Sequence, residues 1–388
     1  MAKAPIASAP FAYAFAASFT SATAFHMHTH LPGFLQGLGA REATIGLVMA
    51  VAHGAGLASR PVLAPAMDRR GRRAVVRVGS VLHVIAAGLY LTVSELGVWV
   101  VVVRALHGLA MALLFSAYFT VAADLVPASR RTEGLALFGV SGILPVGLAP
   151  WAGDLLLHSG SYEDVFVLSA GLAMLGALFG LGIPETAPAR DPATPSMLHT
   201  LRRPRLRPLW AVGLVFAAGL TAYFTFLKTF VGTLGLTEIG TFFMPYALTA
   251  VGLRVLFGWV PDRMGPRRAL FPAMGVFLVG MLVLAGARSA APLALAGVLC
   301  GVGHGYTFPI LSSLIVSRAP AAERGAAVTL FTALFDAGPL LAAPVLGLVV
   351  EARGHATMYV LMAAAGAASV LAFALTDRAP ADRETARA

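Results

Sequence analysis

The chain reads as a succession of long apolar stretches divided by short polar punctuation. Val98–Val126, Leu209–Val231 and Gly325–Val350 each reach the ~20 residues that carry a helix across a ~30 Å hydrocarbon core. A backbone in lipid must satisfy its own hydrogen bonds, so such runs are expected to be helical. The pattern predicts spans at roughly 11–33, 43–66, 74–94, 98–123, 134–157, 164–183, 208–231, 239–260, 269–287, 291–316, 325–350 and 356–376. The expected fold class is an all-α membrane protein with about twelve transmembrane helices. Lys3 and the apolar run behind it imitate a cleavable signal, with an Ala-Phe-Ala cleavage mimic near Phe15. The run continues to about His26, however, and removing it would leave an odd number of spans, so it is read as the first helix.

The polar punctuation repeats. Ser59 opens "SRPVLAPAMDRRGRR", and Leu253 opens "LRVLFGWVPDRMGPRR". Arg60 then matches Arg254, Asp68 matches Asp262, Arg69 matches Arg263 and Gly71 matches Gly265, all at half the chain length. "PASRRTEGLALF" from Pro127 matches "PAAERGAAVTLF" from Pro320, and Pro150 and Gly153 match Pro344 and Gly347. Ordered markers at nearly one offset predict two homologous six-helix halves, residues 1–184 and 208–388. Between them, residues 185–207 read as a Pro- and Arg-rich cytoplasmic linker, with a short amphipathic stretch near Met197–Leu206. Parallel halves of this kind place a transported molecule between them near the bilayer midplane.

Composition sharpens this picture. The 388 residues are 58% hydrophobic and only 12% charged, with mean hydropathy +0.81. A soluble domain carries about 25% charged residues. The net charge of +10 does not point to nucleic acid, because its placement is topological. Arg41, Arg288 and Arg353 fall in one set of loops, while the other set, the linker and the C-terminal tail are Arg-rich, and the N-terminal tail carries Lys3. By the positive-inside rule the Arg-rich side and both termini are cytoplasmic. Cys300 is the single cysteine and sits in an apolar span, so neither a disulfide nor a Cys-type metal site is expected.

"DRRGRR" (Asp68–Arg73) and "DRMGPRR" (Asp262–Arg268) resemble the loop 2–3 signature of the major facilitator superfamily, present in two copies. The signature's Gly four residues before the Asp is Gly258 in the second copy and Ala64 in the first. The resemblance implies a conformational latch built from Asp68, Arg69, Gly71, Arg72, Arg73, Asp124, Asp262, Arg263, Gly265 and Arg267, rather than a substrate site. Gly71 and Gly265 suit the sharp reversal between helices, and the acids facing several Arg suit charge-assisted hydrogen bonds. "RALHG" at Arg104 resembles the family's span 4 signature, with His107 where Gln is usual. "GPxxGG" of the proton-antiporter branch survives in span 5 only as Pro150 and Gly153, with Ala149 and Asp154 replacing glycines. The second-half pattern resembles the bacterial efflux-type branch.

An intramembrane Arg costs about 2.5–3.5 kcal/mol on insertion scales, so Arg104 must face a cavity, find a partner or snorkel. It is a candidate for proton coupling or anion binding. Asp336, mid-span in "LFDAGPLLAAP", is a candidate proton carrier if it stands alone in a cavity wall, and a structural charge if it is paired, for example with Arg254. His304, in the Gly-rich "GVGHGYTFP", is a third coupling candidate. The resemblance implies that spans 1, 4, 7 and 10 line the cavity. His26, Tyr118, Tyr223, Phe224 and Tyr306 are therefore candidate cargo contacts, with interhelical packing as the alternative. "HMHTH" (His26–His30) invites a metal reading, but only His26 and His30 would share a helix face and no acid follows nearby, so no metal is expected. Trp99, Trp210 and Trp259 near span ends fit an interfacial belt. No Ser/His/Asp order or paired carboxylates suggest an enzyme, and no cofactor is expected. The expected function is proton-coupled export of a small organic molecule from a bacterial inner membrane by a monomer working through alternating access, with proton-coupled nutrient import as the alternative. The cargo itself is not legible.

Overall fold

The computed structural model describes residues 8–127, 130–186, 197–320 and 323–377. Its helices are α1 (Ala9–His26), α2 (Leu31–Gly37), α3 (Glu42–Arg70), α4 (Arg72–Leu89), α5 (Val98–Leu125), α6 (Arg131–Ser159), α7 (Tyr162–Leu181), α8 (Met197–Leu201), α9 (Arg207–Thr233), α10 (Gly240–Leu256), α11 (Val260–Met264), α12 (Pro266–Gly286), α13 (Ala290–Arg318) and α14 (Arg324–Thr376). No strand occurs among the described residues. Nine of these helices are long and apolar enough to cross a membrane, and α10 is apolar but one turn shorter. Each expected span lies on helix. The last two lie on α14, whose 53 residues break at Gly354, where φ is 80°. A left-handed φ favours glycine, so the chain folds back there at low steric cost.

The ends are set by local chemistry. Ser161 and Asp164 form a capping box at the start of α7. Gly71 and Gly265, with φ of 87° and 81°, make the reversals after α3 and α11. Glu185 closes the first reversal, accepting from the Arg72 amide at 2.9 Å and the Arg73 amide at 3.3 Å. The linker contributes α8, five residues long and shorter than the expected amphipathic stretch. α8 is tied to the start of α14, where Glu323 accepts from Thr200 at 3.0 Å and pairs with Arg203.

The apolar side chains divide between inside and outside. One core gathers Phe216, Phe226, Phe242, Phe277, Phe331 and Met358 from α9 onward. Smaller cores gather residues of α1 to α7, such as Phe11, Val76, Leu114 and Phe166. Val62, Leu155, Val255 and Leu348 face outward and exposed. An apolar exterior of this extent matches lipid rather than water. Among the expected belt residues, Trp210 is buried instead, while Trp259 is half exposed. The two sets of helices meet chiefly where α3 packs on α14 and α6 packs on α10. The α3–α14 approach is close: a Cβ at Gly46 would run into the Ala343 carbonyl, and one at Gly347 into that of Glu42.

Candidate functional site

A cavity of about 190 Å³ lies between the two sets of helices. α1 and the 3₁₀ turn after it supply Phe25, His26, His28 and Thr29, while α3 supplies Met49 and His53. α5 supplies Arg104, α9 supplies Leu220, Thr221, Phe224 and Thr225, and α14 supplies Phe335 and Pro339. The wall is mostly apolar and aromatic. No carboxylate is among the described residues that line it.

The "HMHTH" run explains part of this arrangement. Met27–His30 winds as a 3₁₀ turn, so the three histidines diverge instead of sharing the α-helical face expected for His26 and His30. His26 borders the cavity with its ring 6.0 Å from that of Phe224. His28 turns back into the core, its ring 4.4 Å from His107 and 4.4 Å from Tyr90. Its Nδ1 lies 3.2 Å from the Ala24 carbonyl. A carbonyl only accepts, so Nδ1 carries a proton and donates it. His30 reaches the other way, with Nε2 donating to the Pro150 carbonyl at 3.0 Å. No group of three His, Cys, Asp or Glu is placed to hold a metal among the described residues.

Arg104 is 2% exposed, does not snorkel, and finds no acid among the described residues. It stands beside the Tyr90 hydroxyl, with His28, His83 and His107 around it. Its Nε and Nη1 have no hydrogen-bond partner, and neither do His28 Nε2, His107 Nε2 or either nitrogen of His83. The sequence places His83 in an apolar span as one more buried histidine, and its isolated place in α4 gives no sign that it meets α5.

Asp336 does not stand alone in an apolar wall, nor does it pair with Arg254. Its partner is Arg60. Nε donates to Oδ2 at 2.8 Å and Nη2 to the same oxygen at 2.5 Å. Arg60 also donates to Thr332 Oγ1 at 2.9 Å and to the Thr332 carbonyl at 3.0 Å. His53 Nδ1 lies 3.7 Å from Asp336 Oδ1, linking the pair to the cavity. A second cavity of about 150 Å³, lined by Arg60, Met67, Phe119 and Thr332, lies further toward the Arg-rich end. The Arg60–Asp336 pair therefore forms a bar between the two cavities, joining α3 to α14.

The Arg-poor end is bolted more heavily. Asp154 Oδ2 accepts from the Gly240 amide at 2.6 Å, and its Oδ1 lies 3.8 Å from both Lys228 Nζ and His30 Nε2. Glu42 accepts from Thr229 Oγ1 at 3.2 Å and lies 3.6 Å from His355. Glu351 accepts from the Ala43 amide at 3.0 Å. Every one of these contacts except His30–Asp154 crosses between the two sets of helices. Asp154 was legible only as a departure from a glycine, and Lys228 only as a cation near a span end.

Other expected site residues fall elsewhere. Tyr118 is buried against Ser21 at 3.3 Å, and Tyr223 donates to Tyr246 at 3.2 Å within an aromatic cluster. Tyr306 donates to the Phe257 carbonyl at 3.1 Å. None of the three borders the cavity, because each turns its ring into its own helix bundle. His304 bonds the Tyr246 hydroxyl and lies outside the cavity, apart from Arg104. At the latch, Arg72 reaches Asp124 at 3.3 Å, and Thr186 donates to Asp124 at 2.9 Å. In the second copy Arg267 instead meets Asp377 at 2.9 Å, Arg263 stacks over Trp259 at 4.4 Å, and Asp262 is exposed. The expected role of Asp68 lies outside what is described, since its side chain is not among the described residues.

Comparison with known proteins places this geometry. The multidrug resistance protein MdtL of Klebsiella pneumoniae subsp. pneumoniae is 28% identical over 292 residues, covering 71% of this chain and 73% of that protein. The MFS-type transporter YhhS of Escherichia coli K12 is 24% identical over 352 residues, covering 88% of this chain and 85% of that protein. The crystal structure of the nucleoside transporter NupG superposes with a TM-score of 0.79 at 15% identity, covering 96% of this chain and all of that one. The family model described as Major Facilitator Superfamily matches residues 7–320 and 246–388. The cavity between two helix sets thus sits in a bacterial multi-pass membrane transporter of small molecules, and the chain belongs to the Major Facilitator Superfamily.

Proposed function

We propose that this transporter is a proton-coupled exporter of a small organic molecule. Two six-helix halves, residues 1–184 and 208–388, rock about the central cavity, with residues 185–207 as the linker. The observation that carries this reading is the cavity itself, closed by the Arg60–Asp336 bar on one side and the Asp154 and Glu42 bolts on the other. Alternating access needs barriers that break in turn, and both barriers here consist of contacts between halves. When the bar opens, Asp336 exchanges Arg60 for a proton. A carboxylate that alternates between an internal cation and a proton ties proton entry to the rocking motion. By the Arg bias of the loops, the Arg-rich end and both termini face the cytoplasm of a bacterial inner membrane. The bolted end then faces outward, and one chain contains the whole pathway. The name of MdtL, a multidrug resistance protein, supports export.

The test begins by comparing small molecules inside and outside cells with and without the gene. The cargo so found is then offered to proteoliposomes under an imposed pH gradient. Antiport concentrates cargo on the acidic side, and a protonophore abolishes the effect. Accumulation on the alkaline side would establish symport and overturn export.

A further inference from the structure

We infer that the transported molecule is an organic anion, a carboxylate with an aromatic or apolar body, whose charged group is received by Arg104. This inference rests on the cavity being the cargo site. Three observations carry it. The Arg104 guanidinium is buried and borders the cavity, yet its Nε and Nη1 bond to nothing. The Tyr90 hydroxyl stands beside the guanidinium, but a buried cation with two idle donors is still short of acceptors and of an opposite charge. Among the described residues no carboxylate lines the cavity, and Asp336, which stands behind the cavity-lining His53, is held by Arg60. Phe25, Phe224, Phe335, Leu220 and Met49 in the same wall suit an apolar body, and the wall's remaining polar groups are histidines and threonines.

The chemistry is selective. A planar guanidinium takes a carboxylate through two parallel hydrogen bonds, which a neutral amide cannot reproduce. His28 does not match this fork, since one of its two ring nitrogens already donates to the Ala24 carbonyl. An organic cation would meet Arg104 with no acid to offset it. A halide satisfies the charge but leaves the apolar wall unfilled.

The experiment uses purified full-length protein in nanodiscs without any gradient, so its outcome is independent of direction and coupling. Thermal unfolding is followed with 1-naphthoate, 1-naphthamide, 1-naphthylmethylammonium or sodium chloride added. The expected result is a dose-dependent rise in Tm with 1-naphthoate alone. Arg104→Gln is expected to weaken that binding by roughly tenfold or more. Its Tm without ligand should equal or exceed that of the wild type, because an unpartnered buried charge has been removed. A scaffold arginine would behave the opposite way, lowering the unliganded Tm. Should Arg104→Gln fail to fold, Arg104→Lys keeps the charge but not the fork, and is expected to fold and bind 1-naphthoate more weakly. The inference is overturned if the wild type is unmoved by 1-naphthoate up to its solubility limit, if the ammonium or amide stabilises equally, if chloride reproduces the shift, or if both variants keep wild-type affinity. Carboxylate binding without gradient-driven flux would sink the export reading and leave this one standing. Gradient-driven flux of a cationic cargo would do the reverse.

Discussion

Arg60 and Arg254 occupy the same place in the two copies of the repeat, yet their surroundings differ. Arg60 crosses to α14 and finds Asp336 and Thr332. Arg254 faces α6, where Gly139 stands in the register of Thr332 and no acid replaces Asp336. Its guanidinium makes one long hydrogen bond, Nε to the Gly305 carbonyl at 3.3 Å, and lies 5.9 Å from the Phe308 ring. The duplicated frame put an arginine at both interfaces, and only one was given a titratable partner. A repeat sets where helices go. The departures from it mark where the two interfaces were given different work.

The largest expected effect comes from erasing the partner that only one copy has. Asp336→Asn leaves Arg60 a neutral acceptor. On the proposed mechanism, the group that loads and releases a proton is then gone, while the helices can still rock. We expect uphill export to be abolished and downhill exchange of cargo to persist, read as pH-gradient-driven flux and counterflow in proteoliposomes. The stability cost is modest, about 1–3 kcal/mol, because both side chains of the pair are partly exposed. A variant that still concentrates cargo against its gradient would remove Asp336 from the coupling mechanism.

A smaller effect is expected from supplying the missing partner. A Cβ at Gly139 would stand 3.6 Å from Arg254 Nη1, so Gly139→Asp brings a carboxylate within reach. The new pair would join α6 to α10 as Arg60–Asp336 joins α3 to α14. We expect higher thermal stability, by about 1 kcal/mol, and slower turnover, since a second bar must now break in each cycle. Unchanged turnover together with raised stability would mean that the α6–α10 seam does not open at this depth.

How much of this asymmetry was legible follows from which interactions are local. Long apolar runs with polar breaks located the spans, because lipid forces the backbone into helices whatever packs around them. The duplicated Asp-Arg-x-Gly motif located both reversals, since a left-handed φ favours glycine. The candidate aromatic cargo contacts were harder to place. Tyr223 and Phe224 are neighbours in α9, yet one is sealed against Tyr246 and the other borders the cavity. A helix turns 100° per residue, and span-level reasoning carries no phase. Partners far apart in sequence were the least accessible. Arg60 is 276 residues from Asp336, and nothing near either one names the other.

The smallest effect concerns the latch, where the two copies reverse their charges. Asp124 closes the first copy by pairing with Arg72, while Arg318 stands at the matching end of α13 and the acid comes instead from Asp377, just past α14. Burial works against the Asp377 charge, but the Arg318 and Arg267 guanidiniums, at 2.9 Å each, hold its carboxyl below the usual carboxylate range. A carboxylate whose folded value is depressed contributes stability above its unfolded value of about 3.9, and loses that contribution as pH falls through the folded value. Asp377→Asn is therefore expected to lower Tm at pH 7, by an amount equivalent to about 1 kcal/mol once solvent screening at the end of the helix is allowed for. The gap between variant and wild type should narrow as pH drops below about 4, because the wild type then loses the same charge. Thermal unfolding of both proteins across that pH range measures it. A gap that stays constant with pH would mean that Asp377 holds the end of α14 through shape and neutral hydrogen bonds, and that the second latch does not depend on charge as the first is built to do.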